Sequence, residues 1–490
     1  MSGIEAPVRD RQVVVGHDPS LLSYPCEAPY HPSEPFPELQ AVGCPVGIEP
    51  NPVFRLVRSC LGALDLDLRR RDTQAWNPLG ELIRPGDRVL VKVNLVVDSH
   101  ELGDAGLQAT IVHGSVLRAV LEYVALALSG RGMVTVADSP IKETDFGLAL
   151  DRSGCAAAIA HLAGRGLGIR ALDLRDYATQ RDARGVMSGH RPLAGDPDGY
   201  VVFNLGDQSF FADPGVDPTL LRSTAEFYTS KCKDAHDHGD HRYSVARAVI
   251  DADVLISLAK LKVHRKAGTT LSQKNMVGTT NLKEWLPHHR WGTPRHGGDV
   301  LDDGASALQV MRELLHDRLA RTPFGRHTRG WLLGNLSILE SLPGARRRFH
   351  PWGEGDWSGN DTIWRTLLDL NNCVLHGTPD GRLGDRRKRY MAWVDGIIGG
   401  EREGPLSPHP HPAGLIVAGW HPWAVDWVAT EAMGWEPARL PYLARCRDSR
   451  YRLAPDFEAR DIDIRRVGPV PKLCFAPPAG WRAWWGRGAV

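Results

Sequence analysis

The chain has 490 residues, 42% hydrophobic and 24% charged, the composition of a globular protein able to bury a sizeable core. Lys+Arg 59 against Asp+Glu 58 leaves a net charge of +1, so no global field favours nucleic acid or an anionic membrane as a partner. No uninterrupted apolar run has the length of a membrane span and no charged–apolar–small leader pattern opens the chain, so a cytoplasmic protein is expected.

Residues 1–80 hold many of the prolines, from Pro19 to Pro52, which predicts an irregular N-terminal arm with one helix near 54–64. A main α/β domain is expected over 81–305. It begins at the turn Arg84-Pro85-Gly86-Asp87 and continues as strand 88–97, helix 116–128, strand 132–137, helix 146–162 and strand 169–174. That alternation predicts an α/β fold with mostly parallel, Rossmann-like sheets flanked by helices, carrying long loop insertions. Strand 200–205 follows, then the Asp/His run 234–241, read as a solvated loop with a metal site as the other reading. Strand 253–258 leads into a lysine-rich segment. A helical and loop insertion is expected over 306–390, with helices at 305–319 and 362–370 and loop over 322–360. Residues 391–490 predict a last α/β unit that completes the cleft: strands 391–397 and 414–419, then helix 423–433 with Pro422 in its first turn.

The eight cysteines are scattered, the closest pair 16 apart, so no Fe–S cluster or cysteine-rich zinc site is expected. Neither a Walker loop nor a G-x-G-x-x-G turn is present, so no dinucleotide is expected. The basic residues say more. Arginine takes 48 and lysine only 11, yet seven of those lysines fall within the 53 residues 231–283. Where only charge matters this chain writes Arg, so lysine here points to pKa tuning or Schiff-base formation, two roles that Arg cannot fill, or to contact with phosphate as a point charge.

In parallel sheets ligands bind beyond the carboxyl ends of the strands. Lys92 and Asn94, Asp138, Lys260 with Lys262 and His264, Asp395, and His421 with Asp426 all fall at such ends. In an extended register Lys260, Lys262 and His264 share one face. Thr269, Thr270, Lys274, Asn275 and Gly278 then supply hydroxyls, charge and a turn suited to a phosphate or carboxylate. We therefore expect Lys92, Asn94, Lys260, Lys262, Thr269, Thr270 and Asn275 to bind substrate, with His264, Lys274 and His288 as catalytic candidates. Asp138, Asp395, Glu401 and Asp426 are the candidates to hold Mg²⁺ or Mn²⁺. Asp361 reads equally as a helix cap or a site residue. Trp352, Trp357 and Trp364 read as core or as sugar-stacking residues.

The run DVLISLAKLKVHRKAGTTLSQKNMVG, the strand VLVKVNLV, the ADSP turn, and VDGIIGGEREGP with GLIVAGWHPWAVDWVATEAMG resemble the domain-of-unknown-function 362 family over about residues 85–445. GNDTIWRTLLDLNN and NLKEWLPHHRWGTPRHGGD resemble its branch without Fe–S cysteines, which implies a place in polysaccharide or natural-product biosynthesis. The layout is also similar to the nickel-dependent lactate racemase superfamily, whose two α/β domains enclose a cleft with Lys and His.

These readings predict an enzyme acting on an anionic small molecule or phosphorylated sugar, by divalent-metal-assisted group transfer or hydrolysis. An isomerase or racemase exchanging a proton through Lys and His is the alternative. A non-catalytic anion-binding or scaffold protein is the third reading. The oligomeric state is left open.

Overall fold

The structure is a computed structural model that describes residues 9–181, 187–223, 230–320, 354–470 and 472–485. Trp352 and most of the loop expected over 322–360 lie outside the described residues. One nine-stranded sheet dominates. Its strands are β1 (Gln12–His17), β2 (Arg88–Lys92), β3 (Met133–Asp138), β4 (Ile169–Asp173), β5 (Val254–His264), β6 (Gly268–Thr269), β7 (Arg389–Glu403), β8 (Ser407–Gly419) and β9 (Asp463–Val467). They lie in the order β9-β1-β8-β7-β5-β2-β3-β4, with β6 folded back on β5. From β7 to β4 every pairing is parallel, and β9 is parallel to β1. Only β8, antiparallel to β1 and β7, and the β5–β6 hairpin break the rule. The fold is therefore α/β with a mostly parallel mixed sheet, as the strand–helix alternation predicts.

The helices that pack around the sheet and the site include α1 (Pro52–Ala63), α2 (Gly103–Thr110), α3 (Gly114–Leu128), α4 (Phe146–Ser153), α5 (Cys155–Gly164), α6 (Leu271–Asn275), α7 (Ile363–His376) and α8 (Pro422–Ala432). They cover the sheet on both faces. Val89, Val91, Ile256 and Leu258 join a core with α1 and α3, while Leu90, Leu255 and Ala259 join another with α7 and α8. Period-two alternation along central strands is what places one residue in each core.

Three expectations are corrected. The helix predicted over 146–162 is two helices, because Gly154 turns left-handed (φ 76°) between α4 and α5. The strand ending at 258 instead runs to His264, and all eleven of its residues are buried. The N-terminal arm contributes β1, slotted between β8 and β9, so it is not wholly irregular. By length and hydropathy Gly103–Leu128 could cross a membrane, but it is broken between α2 and α3 and 89% of its apolar window is buried.

Candidate functional site

The parallel strands end on buried charged groups. Lys92 closes β2, fully buried, and its ammonium meets the Asp138 carboxylate at the end of β3 at 2.7 Å. It also donates to the Val93 carbonyl (2.6 Å) and to Asn275 Oδ1 (3.0 Å), so its three protons are all used. Asp138 accepts from the Leu95 and Ser139 backbone N–H groups at 2.6 and 2.8 Å. Asn275 returns its amide protons to the Lys92 carbonyl and Ser257 Oγ. A charge this deep persists only when it is paired and its remaining protons are bonded. Burial nonetheless pulls the Lys92 pKa below the ordinary lysine value.

A second buried pair lies on the adjoining strands. Lys260 on β5 and Asp395 on β7 are 3.3 Å apart. Tyr24 of the N-terminal arm joins them, its hydroxyl donating to Asp395 at 2.6 Å and accepting from Lys260 at 2.5 Å. The Tyr24 ring stacks on His113 at 4.1 Å, and the His113 backbone N–H donates to the other Asp395 oxygen.

Three further lysines have no carboxylate partner among the described residues. Lys262 Nζ donates to Asn94 Oδ1, the Thr110 carbonyl and the Pro405 carbonyl at 3.2, 2.6 and 3.1 Å. Burial and the charges of Lys260 and Lys274 push its pKa well down, yet three oxygen acceptors require the three protons that only an ammonium carries. Lys283 donates to the Ser139 carbonyl at 2.6 Å, and burial lowers it to about 7. Lys274 is half-buried on α6 and, among the described residues, its ammonium has neither a hydrogen bond nor an ion pair. Burial and the neighbouring Lys92 and Lys266 lower it to about 8.

Two histidines face this cluster. His264 Nδ1 accepts from the Lys266 and Ala267 backbone N–H groups at 3.0 and 3.2 Å, which puts its proton on Nε2. His288 bonds the Leu286 carbonyl through Nδ1 at 2.8 Å, so Nδ1 carries the proton and Nε2 keeps a free lone pair. Burial and the charge of Lys274 keep both rings neutral, His288 at about 3 and His264 well below the usual imidazole value. None of Lys274 Nζ, His264 Nε2 and His288 Nε2 is sealed without a partner in the interior. One amine, one N–H donor and one nitrogen acceptor thus remain available to a ligand.

The structure therefore redistributes the expected roles. Lys92, Lys260, Lys262 and Asn275 come together but spend their bonds on protein atoms, so they build the floor of the site. Thr269 meets the Tyr442 hydroxyl at 2.7 Å and Thr270 the Lys260 carbonyl at 2.8 Å, which also turns them inward. Asn94 keeps only its amide protons for other partners. The four expected metal ligands do not converge. Asp138 and Asp395 are the lysine partners just described. Glu401 holds His411 (3.2 Å) and the Ala476 N–H. Asp426 accepts from the Ser272 and Gln273 N–H groups of α6 at 2.7 and 2.9 Å. Among the described residues no three His, Cys, Asp or Glu side chains gather as a metal site. Asp361 does not cap α7; Asn360 does, accepting from the Thr362 and Ile363 N–H groups, while Asp361 pairs with Arg290 and Arg365. Trp364 is buried beside Phe210, a core residue. In the 234–241 run His236 and His241 are buried, not solvated, with ring nitrogens 3.2 Å apart.

Sequence reasoning missed Tyr24 and His113, neither of which carries a pattern. Lys283 belongs to the lysine excess and could have been picked from it. A family model described as Domain of unknown function (DUF362) matches residues 183–431, a span holding β5, α6, His264, Lys274, Lys283 and His288. No curated protein matches the chain.

Proposed function

We infer a function for a chain that belongs to the DUF362 family, whose name assigns no reaction: an enzyme that binds an anionic small molecule, phosphorylated or carboxylated, and moves a proton on it. One observation carries this reading: among the described residues Lys262, Lys274 and Lys283 sit together without a carboxylate partner, beside two neutral histidines with free Nε2 atoms. An anion would supply the missing countercharge. Lys262 contributes field alone, since its protons are spent, whereas Lys274 and Lys283 have protons to donate. His288 Nε2 is placed to accept a proton and His264 Nε2–H to hold a developing oxyanion. This favours an isomerase, racemase or related acid–base reaction over metal-assisted transfer. We keep Mg²⁺ or Mn²⁺ only as a companion of a substrate phosphate, because the chain's own acids are committed elsewhere. The scattered free thiols support a place in the family branch without Fe–S cysteines, and hence in biosynthesis in the cytoplasm.

The test is calorimetric titration with inorganic phosphate and simple carboxylates, followed by incubation with keto acids and sugar phosphates in deuterium oxide. Binding of at least one anion, and deuterium at carbon in a recovered compound, are the expected results. Failure of every anion to bind would remove the reading, and binding with no exchange or turnover would leave a sensor or scaffold.

A further inference from the structure

Resting on the anion-binding reading above, we propose that Lys274 is a nucleophile that forms an imine with the carbonyl carbon of an anionic aldehyde or ketone. The first support is how rigidly the amine is presented. Helix α6 is only five residues long, and Leu271 enters it at φ 42°, a conformation costly for a branched side chain. The surroundings over-determine that geometry. Asp426 holds the Ser272 and Gln273 N–H groups. Asn371 donates to the Gln273 carbonyl at 3.0 Å and Tyr451 to Gln273 Oε1 at 2.8 Å. Asn275 is locked to Lys92 and Ser257. Ser272, Gln273 and Asn275 are each bonded to neighbouring elements, whereas the Lys274 ammonium has no bond among the described residues.

The second support is the proton inventory. The neutral Lys274 nitrogen attacks the carbonyl carbon, forming a C–N bond as the C=O π electrons move to oxygen. His264 Nε2–H donates a hydrogen bond to that oxygen and keeps its proton. His288 Nε2 takes one proton from nitrogen and delivers it to oxygen, giving the neutral carbinolamine. It then takes the second proton from nitrogen and delivers it to the departing hydroxyl. The C–O bond breaks, C=N forms and water leaves, with His288 unchanged overall. The anionic end of the substrate rests on Lys283 in the field of Lys262. Arginine could not perform this step, which accounts for lysine in an arginine-rich chain. A pKa near 8 leaves the amine available at neutral pH, where an ordinary lysine is almost wholly protonated.

The experiment uses the full chain with glycolaldehyde phosphate and with pyruvate. Sodium borohydride delivers hydride to the imine carbon and fixes the adduct as a secondary amine, which intact mass and peptide mapping locate. A single adduct on Lys274, suppressed by saturating inorganic phosphate and absent in Lys274→Arg, is expected. His288→Gln should slow trapping roughly tenfold with the adduct still on Lys274. Trapping at Lys274 should rise through pH 8 and then level off. Adducts spread over Lys231 and Lys472, or no adduct, in a protein that still binds phosphate would overturn the imine and leave the anion site standing. No adduct and no phosphate binding would overturn both.

Discussion

The backbone of Gly278 passes so close to the Asp138 carboxylate that a Cβ at position 278 would fall 2.2 Å from Oδ1. It would also lie 2.5 Å from Lys92 Nζ. Gly278 has an ordinary backbone conformation (φ −81°), so here glycine is a matter of space. Neither partner can retreat, because both are buried and bonded on every side. Gly278→Ala should therefore force the pair apart and cost about 3–5 kcal/mol, the range for breaking a buried ion pair. Gly164→Ala at the end of α5, with nothing within 4 Å, should be neutral or stabilising by about 0.5–1 kcal/mol. Urea unfolding of the two variants checks this, and equal effects would mean that the ion pair tolerates displacement.

Lysine identity at position 274 is the second prediction. Lys274→Arg should weaken phosphate binding or turnover at least tenfold, about 1.4 kcal/mol, with little change in melting temperature. A guanidinium is longer, planar and always charged. Lys472, exposed near the C-terminus, is the matched control and should tolerate Arg. Lys388 cannot serve, although it stands among arginines in the sequence. Its ammonium is held by the Ile250 and Ala252 carbonyls at 2.7 Å each, and burial lowers it to about 8.

The lysine excess was legible because composition set it against a background. Among the described residues six lysines and five arginines are buried, although arginine outnumbers lysine 48 to eleven in the chain. The strands were legible for a similar reason: β2, β3 and β5 are apolar runs bounded by turn residues. What a sequence hides is where each proton goes. Lys92 and Lys274 look alike as letters, yet one is saturated by Val93, Asn275 and Asp138 and the other is free, a difference made by chain segments up to 183 residues away. β1 was missed because its short run, Gln12–His17, is a strand only through pairing with Gly419 to Leu415 and with Asp463 to Val467. Tyr24 was missed for the same reason, since its partners lie 236 and 371 residues along.

Anion binding should take up protons. Lys283 and Lys274 titrate at about 7 and about 8 in the free protein, and a bound anion favours the ammonium, which raises both values. Between pH 7 and 9 the complex therefore holds more protons than the free protein, and affinity for phosphate falls as pH rises, by about tenfold per unit for each proton required. Calorimetry in buffers of different ionisation enthalpy measures that uptake directly. Proton release, or binding that strengthens with pH, would place the anion away from these lysines.

Removal of divalent ions should leave the ligand-free protein unchanged. Asp138, Asp395, Glu401 and Asp426 accept from ammonium, hydroxyl, imidazole or backbone donors and do not share one space. Thermal melts with EDTA and with added Mg²⁺ or Mn²⁺ should superimpose. A rise in melting temperature that saturates with either metal would return these acids to a metal centre.

The last prediction orders two variants around the arm. Tyr24→Phe keeps the ring on His113 and removes only the hydroxyl that bridges Lys260 and Asp395. Hydrogen bonds to charged groups are worth about 1.5–3 kcal/mol. The direct 3.3 Å contact of Lys260 with Asp395 survives, so a loss of about 2 kcal/mol, below the sum of the two bonds, is expected. Asp395→Asn should cost more, about 3–5 kcal/mol, because it leaves the Lys260 ammonium fully buried without its countercharge. That deficit should also shrink with pH. Burial already holds the Lys260 pKa below its unfolded value, so the unfolded chain binds the extra proton and folding gains as pH rises toward about 10.4. Removing Asp395 lowers the folded value further and steepens that gain. Urea unfolding of both variants at pH 7 and pH 9.5 reads the order and the slope. An Asp395→Asn deficit no larger than that of Tyr24→Phe, or one that grows with pH, would show that Lys260 does not depend on Asp395 for its charge.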